Sequence, residues 1–142
     1  MELSIGSVAD KPPICLVDAE ADLLADLALV VESQSPALAR LILDEVHRAD
    51  IVSSRDASPD TVRIGSEVEF VDEATGRSRH VTLVLPFEAD SERGAISILT
   101  EPGAGLIGLS AGQIVAWPDP NSDERLRIVS VRPPMQGASN DF

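Results

Sequence analysis

Residues 94–117, GAISILTEPGAGLIGLSAGQIVAW, constrain the fold more than any other part of the chain. Two short apolar runs, 95–99 and 113–117, flank a linker with glycine at 103, 105, 108 and 112. The chain must therefore leave one strand, make a compact helical turn and enter a second strand within that linker. Glycine supplies the positive φ and the close backbone approach that such corners need. The spacing predicts a small β-rich unit with one brief helix set between two strands.

The rest of the chain supplies a helical region and more strands. Pro12-Pro13 introduces an apolar run at 14–17, suited to an edge strand. Asp18 is placed to cap the helix that follows, with Glu20 and Asp22 in its first turn, where the helix dipole favours negative charge. Leu23, Leu24, Leu27, Val30 and Val31 recur at helical spacing and predict one apolar stripe, on a helix ending near Ser33. Ser35 caps a second helix with Pro36 at its first position, and Leu38, Leu41, Ile42, Val46 and Ala49 form the matching stripe. Two helices joined by so short a turn run antiparallel, so residues 18–50 read as a helical hairpin.

Residues 51–61 read as a polar linker, after which the period switches to two. Val68 and Phe70 share one face of a strand at 67–71, DEATG at 72–76 is a turn, and Val81, Leu83 and Leu85 share a face of the next strand. Pro118–Glu124 is another turn, and Leu126, Ile128 and Val131 lie on a last strand. The expected fold is α+β: a short antiparallel helical hairpin (12–52) followed by a strongly bent antiparallel sheet with one short helix (60–133).

Composition narrows the function. One lysine and ten arginines face twenty-four acids, for a net charge of −13. Binding phosphates needs clustered basic residues, so direct sequence-specific nucleic-acid binding is not expected, and a basic protein partner fits better. With 44% hydrophobic residues the chain can bury a core and is no disordered acidic tail. No apolar run reaches the roughly 20 residues of a membrane span. The first residues lack the basic start and apolar core of a secretory signal, and a lone Cys15 forms no internal disulfide, so a cytoplasmic protein is the expectation.

The segment from about residue 12 to 133 resembles the Gre-type (GreA/GreB) transcription elongation factor superfamily. The carrying motifs are KPPICLVDAEAD, LILDEVHRADIVSS, TVRIGSEVEF, the glycine-rich GAISILTEPGAGLIGLSAGQIVAW and RLRIVSV. Within the superfamily it looks most like the short-hairpin Rnk type, in which a strand precedes the hairpin as residues 14–17 do here. The resemblance implies an FK506-binding-protein-like C-terminal domain that docks at the rim of the RNA polymerase secondary channel, and a hairpin directed into the channel. It makes the loop of Thr100, Glu101, Pro102, Gly103, Gly105, Leu106, Ile107 and Gly108 the candidate polymerase contact. Members of the superfamily usually have Ser-Pro where this chain has Thr100-Glu101, with its proline displaced to 102. Long-hairpin members carry acidic residues at the tip that help hold a catalytic Mg²⁺ in the polymerase and stimulate cleavage of backtracked RNA.

The tip here, Glu32, Ser33, Gln34 and Ser35, has Glu32 as its single carboxylate, with Asp26 and Asp44 about two turns away along the helices. A Mg²⁺ site needs hard oxygen ligands, normally more than one carboxylate held together. The expectation is a non-enzymatic regulator that binds bacterial RNA polymerase and lacks cleavage activity, with no metal or cofactor of its own. The alternatives are a cleavage-stimulating factor using Glu32 and a small acidic interaction domain for another basic protein. Cys15 reads as a small apolar strand residue, His47 and His80 lack ligand spacing, and Ser97 lacks a His–Asp context. The glycines precede no Lys-Ser/Thr and so form no phosphate loop. Prolyl isomerisation would need a cluster of aromatics, and only Phe70, Phe87 and Trp117 lie within the folded segment; Trp117 is expected to fill the sheet core. Oligomeric state stays open at this level.

Overall fold

The computed structural model describes residues 12–117 and 123–134. The N-terminal ten residues, the core of the 118–124 turn and Phe142 lie outside the described residues. Strand β1 (Cys15–Val17) runs straight into helix α1 (Asp18–Val31), and a four-residue turn leads to α2 (Pro36–Arg48) and strand β2 (Asp50–Val52). The remaining elements are β3 (Glu67–Asp72), β4 (Ser78–Val84), two single 3₁₀ turns at Pro86–Glu88 and Ser91–Arg93, β5 (Ala95–Ser97), α3 (Glu101–Leu106), β6 (Ile114–Ala116) and β7 (Arg125–Arg132).

The hairpin differs from the sequence expectation in three ways. Asp18 is the first helical residue; the cap position belongs to Val17, in extended conformation at φ −71°, ψ 139°. The strand turns into the helix without an intervening loop, which leaves no place for a side-chain cap. Helix α1 also ends at Val31, two residues before Ser33. Finally, the buried face of α1 is Ala21, Leu24 and Ala28, with Leu27 and Val31 half-buried, whereas Val30 is 70% exposed and Leu23 lies at the surface. Small residues let α2 come close, and its own Ala39 and Ile42 are buried opposite. A stripe drawn through the large aliphatics overlooks the alanines that set the helix phase. Ser35 and Pro36 do stand at the cap position and first turn of α2, although the Ser35 side chain makes no capping hydrogen bond.

Residues 50–52, expected within the helix end and polar linker, pair in parallel with β1, with Cys15 opposite Asp50 and Val17 opposite Val52. The helical hairpin is thus the connection between two parallel strands. The larger sheet has the order β5-β4-β3-β7-β6. It is antiparallel except at one edge, where β5 lies parallel to β4; the expected all-antiparallel sheet is mixed. The 3₁₀ turns between β4 and β5 carry the chain back so that β5 can start beside Thr82. In β7 the pairing with β3 shifts between Glu69 and Phe70, so that Ser130 faces Glu69 and Ile128 faces Phe70. Val129 is the extra residue of this bulge and is 46% exposed. The bulge explains why the inward residues Leu126, Ile128 and Val131 are spaced two and then three apart.

One core serves both segments. Ile14, Leu16, Leu24 and Ile42 from the hairpin side join Val68, Phe70, Leu83, Ile98, Leu106, Ile107 and Ile128 in a single buried cluster. Its backbone seam is at Gly108, whose carbonyl accepts from Cys15 N at 3.1 Å and whose N–H donates to Val62 O at 2.9 Å. Gly108 has φ +85°, and a Cβ there would lie 2.9 Å from Ile14 Cβ. Only glycine gives both the left-handed conformation and the space.

Candidate functional site: the glycine corner and the hairpin tip

The corner is built around α3. Thr100 caps the helix: its Oγ1 accepts from Gly103 N at 3.1 Å and donates to Ser97 O at 2.7 Å. Ser97 Oγ accepts in turn from Leu99 N at 2.9 Å, so the buried Ser97 hydroxyl is committed to local structure. Gly103 faces the backbone of β5, where a Cβ would stand 2.0 Å from Ser97 O. Leu106 and Ile107 are at most 1% exposed, and Gly103 and Gly108 are buried with them. Of the eight residues expected to form a contact, four are therefore internal. Glu101 is exposed, and Thr100, Pro102 and Gly105 are half-buried, so only these four of the eight are accessible from outside.

Trp117 anchors the corner to the sheet. It is 3% exposed, its Nε1 donates to Pro102 O at 2.9 Å, and its ring packs on Phe70 with centroids 5.1 Å apart. Its expected place in the sheet core is the one observed. Phe87 is 82% exposed and joins neither ring, so the three aromatics do not converge on one pocket.

The tip is open. Val31 O accepts from both Gln34 N and Ser35 N, at 3.0 and 2.8 Å, closing the turn with backbone alone. Glu32, Ser33 and Gln34 are exposed and Ser35 is half-buried. Leu29 and Val30, 67% and 70% exposed, place apolar surface on the last turn of α1 beside Glu32. A hollow of about 300 Å³ along α2 is lined by Glu32, Pro36, Ala39, Arg40, Leu43, Asp44 and His47. Among the described residues no group of three or more His, Cys, Asp or Glu side chains could hold a metal ion. His80 instead lies on the sheet with Nε2 3.7 Å from Glu67 Oε1, and Cys15 is half-buried in β1.

Two ion pairs that the sequence pattern did not reveal brace the hairpin, one within α2 and the segment before β1, the other between α1 and the segment before β3. Glu45, 6% exposed, accepts from Arg48 Nε and Nη2 at 3.2 and 2.9 Å, while Arg48 Nη1 donates to Pro12 O at 2.6 Å. Glu20 Oε2 accepts from Arg63 Nε at 3.3 Å, joining α1 to the segment before β3. Burial raises the Glu20 pKa above the ordinary carboxylate value, and the Arg63 guanidinium and the Ile64 backbone only partly oppose it. The partners are 43 residues apart in sequence, and in a chain so rich in acids nothing local marks which one is desolvated.

Comparison with known proteins covers both parts. The family "Transcription elongation factor, GreA/GreB, C-term" matches residues 56–133. The sequence is 33% identical to a transcription elongation factor GreA of Rhodopseudomonas palustris (strain TIE-1) over 138 residues, 92% of this chain and 87% of that protein. A GreA of Acidiphilium cryptum is 32% identical over 87 residues, a match covering 61% of this chain and only 55% of that protein. Among solved structures, a prokaryotic transcription elongation factor GreA/GreB from Nitrosomonas europaea aligns with a TM-score of 0.69 at 30% identity, over 84% of this chain and 98% of that one.

Proposed function

Because this chain belongs to the GreA/GreB family of transcription elongation factors, we propose that it binds bacterial RNA polymerase at the mouth of the secondary channel and regulates elongation without stimulating transcript cleavage. In this reading the protein is a non-enzymatic, cytoplasmic regulator of the Rnk type. The segment 60–133 docks through the exposed side of the α3 corner: Thr100, Glu101, Pro102 and Gly105. The segment 12–52 presents its acidic hairpin to the channel entrance, where its charge suits a basic rim.

The observation that carries the proposal is the tip. Glu32 is the only carboxylate in the turn between Val31 and Pro36, and it stands exposed on a flexible side chain. Cleavage assistance requires oxygen ligands held together at a metal, and a single solvated carboxylate does not supply that. Reach points the same way, since the 14 residues of α1 extend only about 21 Å.

The test is binding of the purified protein to bacterial core RNA polymerase, followed by transcript cleavage in stalled, backtracked complexes. Binding that a competing GreA displaces, with no acceleration of cleavage, is the expected result. Failure to bind polymerase would overturn the proposal, and accelerated cleavage would overturn its regulatory half. A second reading is that Glu32 is lent to the polymerase as in a cleavage factor; cleavage stimulated by the protein and lost in Glu32→Gln would establish it.

A further inference from the structure

Beside the corner, on the other side of Trp117, lies a second polar feature. The Arg79 guanidinium sits 5.7 Å from the Phe70 ring centroid and 5.6 Å from that of Trp117. Cation–π attraction to two buried rings favours this position of the head group while leaving its N–H edge free. Arg79 and Arg77 line an open hollow of about 520 Å³ together with Asp72, Thr75, Ser78 and Glu124. Among the described residues neither guanidinium makes an ion pair or a hydrogen bond. Asp72 Oδ1 is already engaged, accepting from Ala74 N at 2.8 Å and Thr75 N at 3.3 Å. Among the described residues two arginines thus stand at one place without carboxylate partners, one of them lying against two rings.

Resting on the polymerase-binding reading, we propose that Arg77 and Arg79 form a carboxylate-binding pocket that takes an acidic side chain from the polymerase surface next to the α3 corner. Planar guanidinium forks match carboxylate geometry, and a pre-positioned fork loses less entropy on binding than a free one. Pocket and corner are linked through one side chain, because the same Trp117 that lies under Arg79 also donates to Pro102 O. A nucleic-acid backbone is the poorer occupant. It would run a line of phosphates past Asp72 and Glu124 and against a net charge of −13.

The chain has a single tryptophan, so the fluorescence of Trp117 reports on this pocket directly. Two arms test it. In the first, core RNA polymerase is titrated with the wild-type protein, the double variant Arg77→Gln/Arg79→Gln, and Arg79→Lys, with unfolding curves checking that each is folded. The double variant should bind about tenfold or more weakly and with a shallower salt dependence; the lysine, which lacks the fork, should fall between. Equal binding by wild type and double variant would overturn the pocket and leave the polymerase reading intact. In the second arm, hexaglutamate and oligothymidylate are titrated while Trp117 emission is followed. An emission change with hexaglutamate that the double variant lacks is expected. No change, or a change with oligothymidylate instead, would overturn the pocket. Should the protein fail to bind polymerase while hexaglutamate still acts through the arginines, the polymerase reading falls and the carboxylate pocket stands with another protein as its source.

Discussion

The two stretches that resemble functional parts of the family, the glycine corner and the hairpin tip, are opposites physically. At the corner nearly every side chain is fixed by packing: Leu106 and Ile107 are in the core, Thr100 caps α3, and Gly103 and Gly108 are pressed against β5 and β1. At the tip the backbone closes its own turn and the side chains of Glu32, Ser33 and Gln34 carry no structural duty. A distinctive sequence pattern therefore marks where the fold is demanding, and only part of it marks where a partner touches. The tip can change its chemistry without changing the fold.

The sharpest way to break this contrast is at Gly103. Alanine there would bring Cβ to 2.0 Å from Ser97 O and 2.8 Å from Ser97 C, and both are backbone atoms that cannot rotate away. Gly103→Ala should cost about 3–5 kcal/mol of unfolding free energy, the range reserved for severe steric conflict. The comparison is Gly112→Ala, which at φ +96° meets nothing within 4 Å. It pays only the left-handed strain of about 1–2 kcal/mol. Urea unfolding of both variants should show the difference, and equal losses would mean that β5 and α3 separate more readily than their packing implies.

A second test concerns the seam between hairpin and sheet. Burial raises the Glu20 pKa, so the folded protein holds that proton more tightly than the unfolded chain does. Folding stability from this group is greatest below the ordinary value of 4.5 and declines as pH rises through the raised one. Arg63→Ala removes the charge that counters this. It should destabilise the protein by about 1–3 kcal/mol at neutral pH, and by less in acid, where Glu20 is protonated. Glu20→Gln should flatten that part of the pH profile and cost less than Arg63→Ala. Chemical denaturation at several pH values distinguishes them, and parallel profiles for wild type and Glu20→Gln would sink the assignment.

What could be read from the sequence follows the same divide. The Ser35-Pro36 start of α2, the alternation of Val68 with Phe70, and the strand–helix–strand corner were legible because each is a local pattern with a local cause. The β1–β2 pair was not: its three-residue strands meet across a whole helical hairpin, and Ile51 is 48% exposed, which hides any apolar signature. The parallel β5 edge is set by the two 3₁₀ turns, which a polar connection does not announce. The phase of α1 was missed because Ala21 and Ala28 outrank Val30 in burial, a choice made by the neighbouring helix. Of the candidate site, the corner and the tip were visible as segments. Which residues within the corner face outward was not, nor was the placing of Arg79 over two rings from different strands and loops.

The smallest structural effect should come from the tip, and it decides most about function. Glu32 is exposed and forms no part of the hydrogen bonding that closes the turn, so Glu32→Gln should leave stability within about 0.5 kcal/mol. Polymerase affinity should fall only slightly, because one solvated charge among many contributes chiefly to steering. If Glu32 merely adds negative charge at the channel mouth, the loss will fade as salt is raised, and cleavage rates will be the same with either protein. A loss that persists at high salt, or a change in cleavage, would mean that this carboxylate makes a desolvated contact inside the polymerase. The tip would then be as constrained as the corner, with the constraint supplied by the partner.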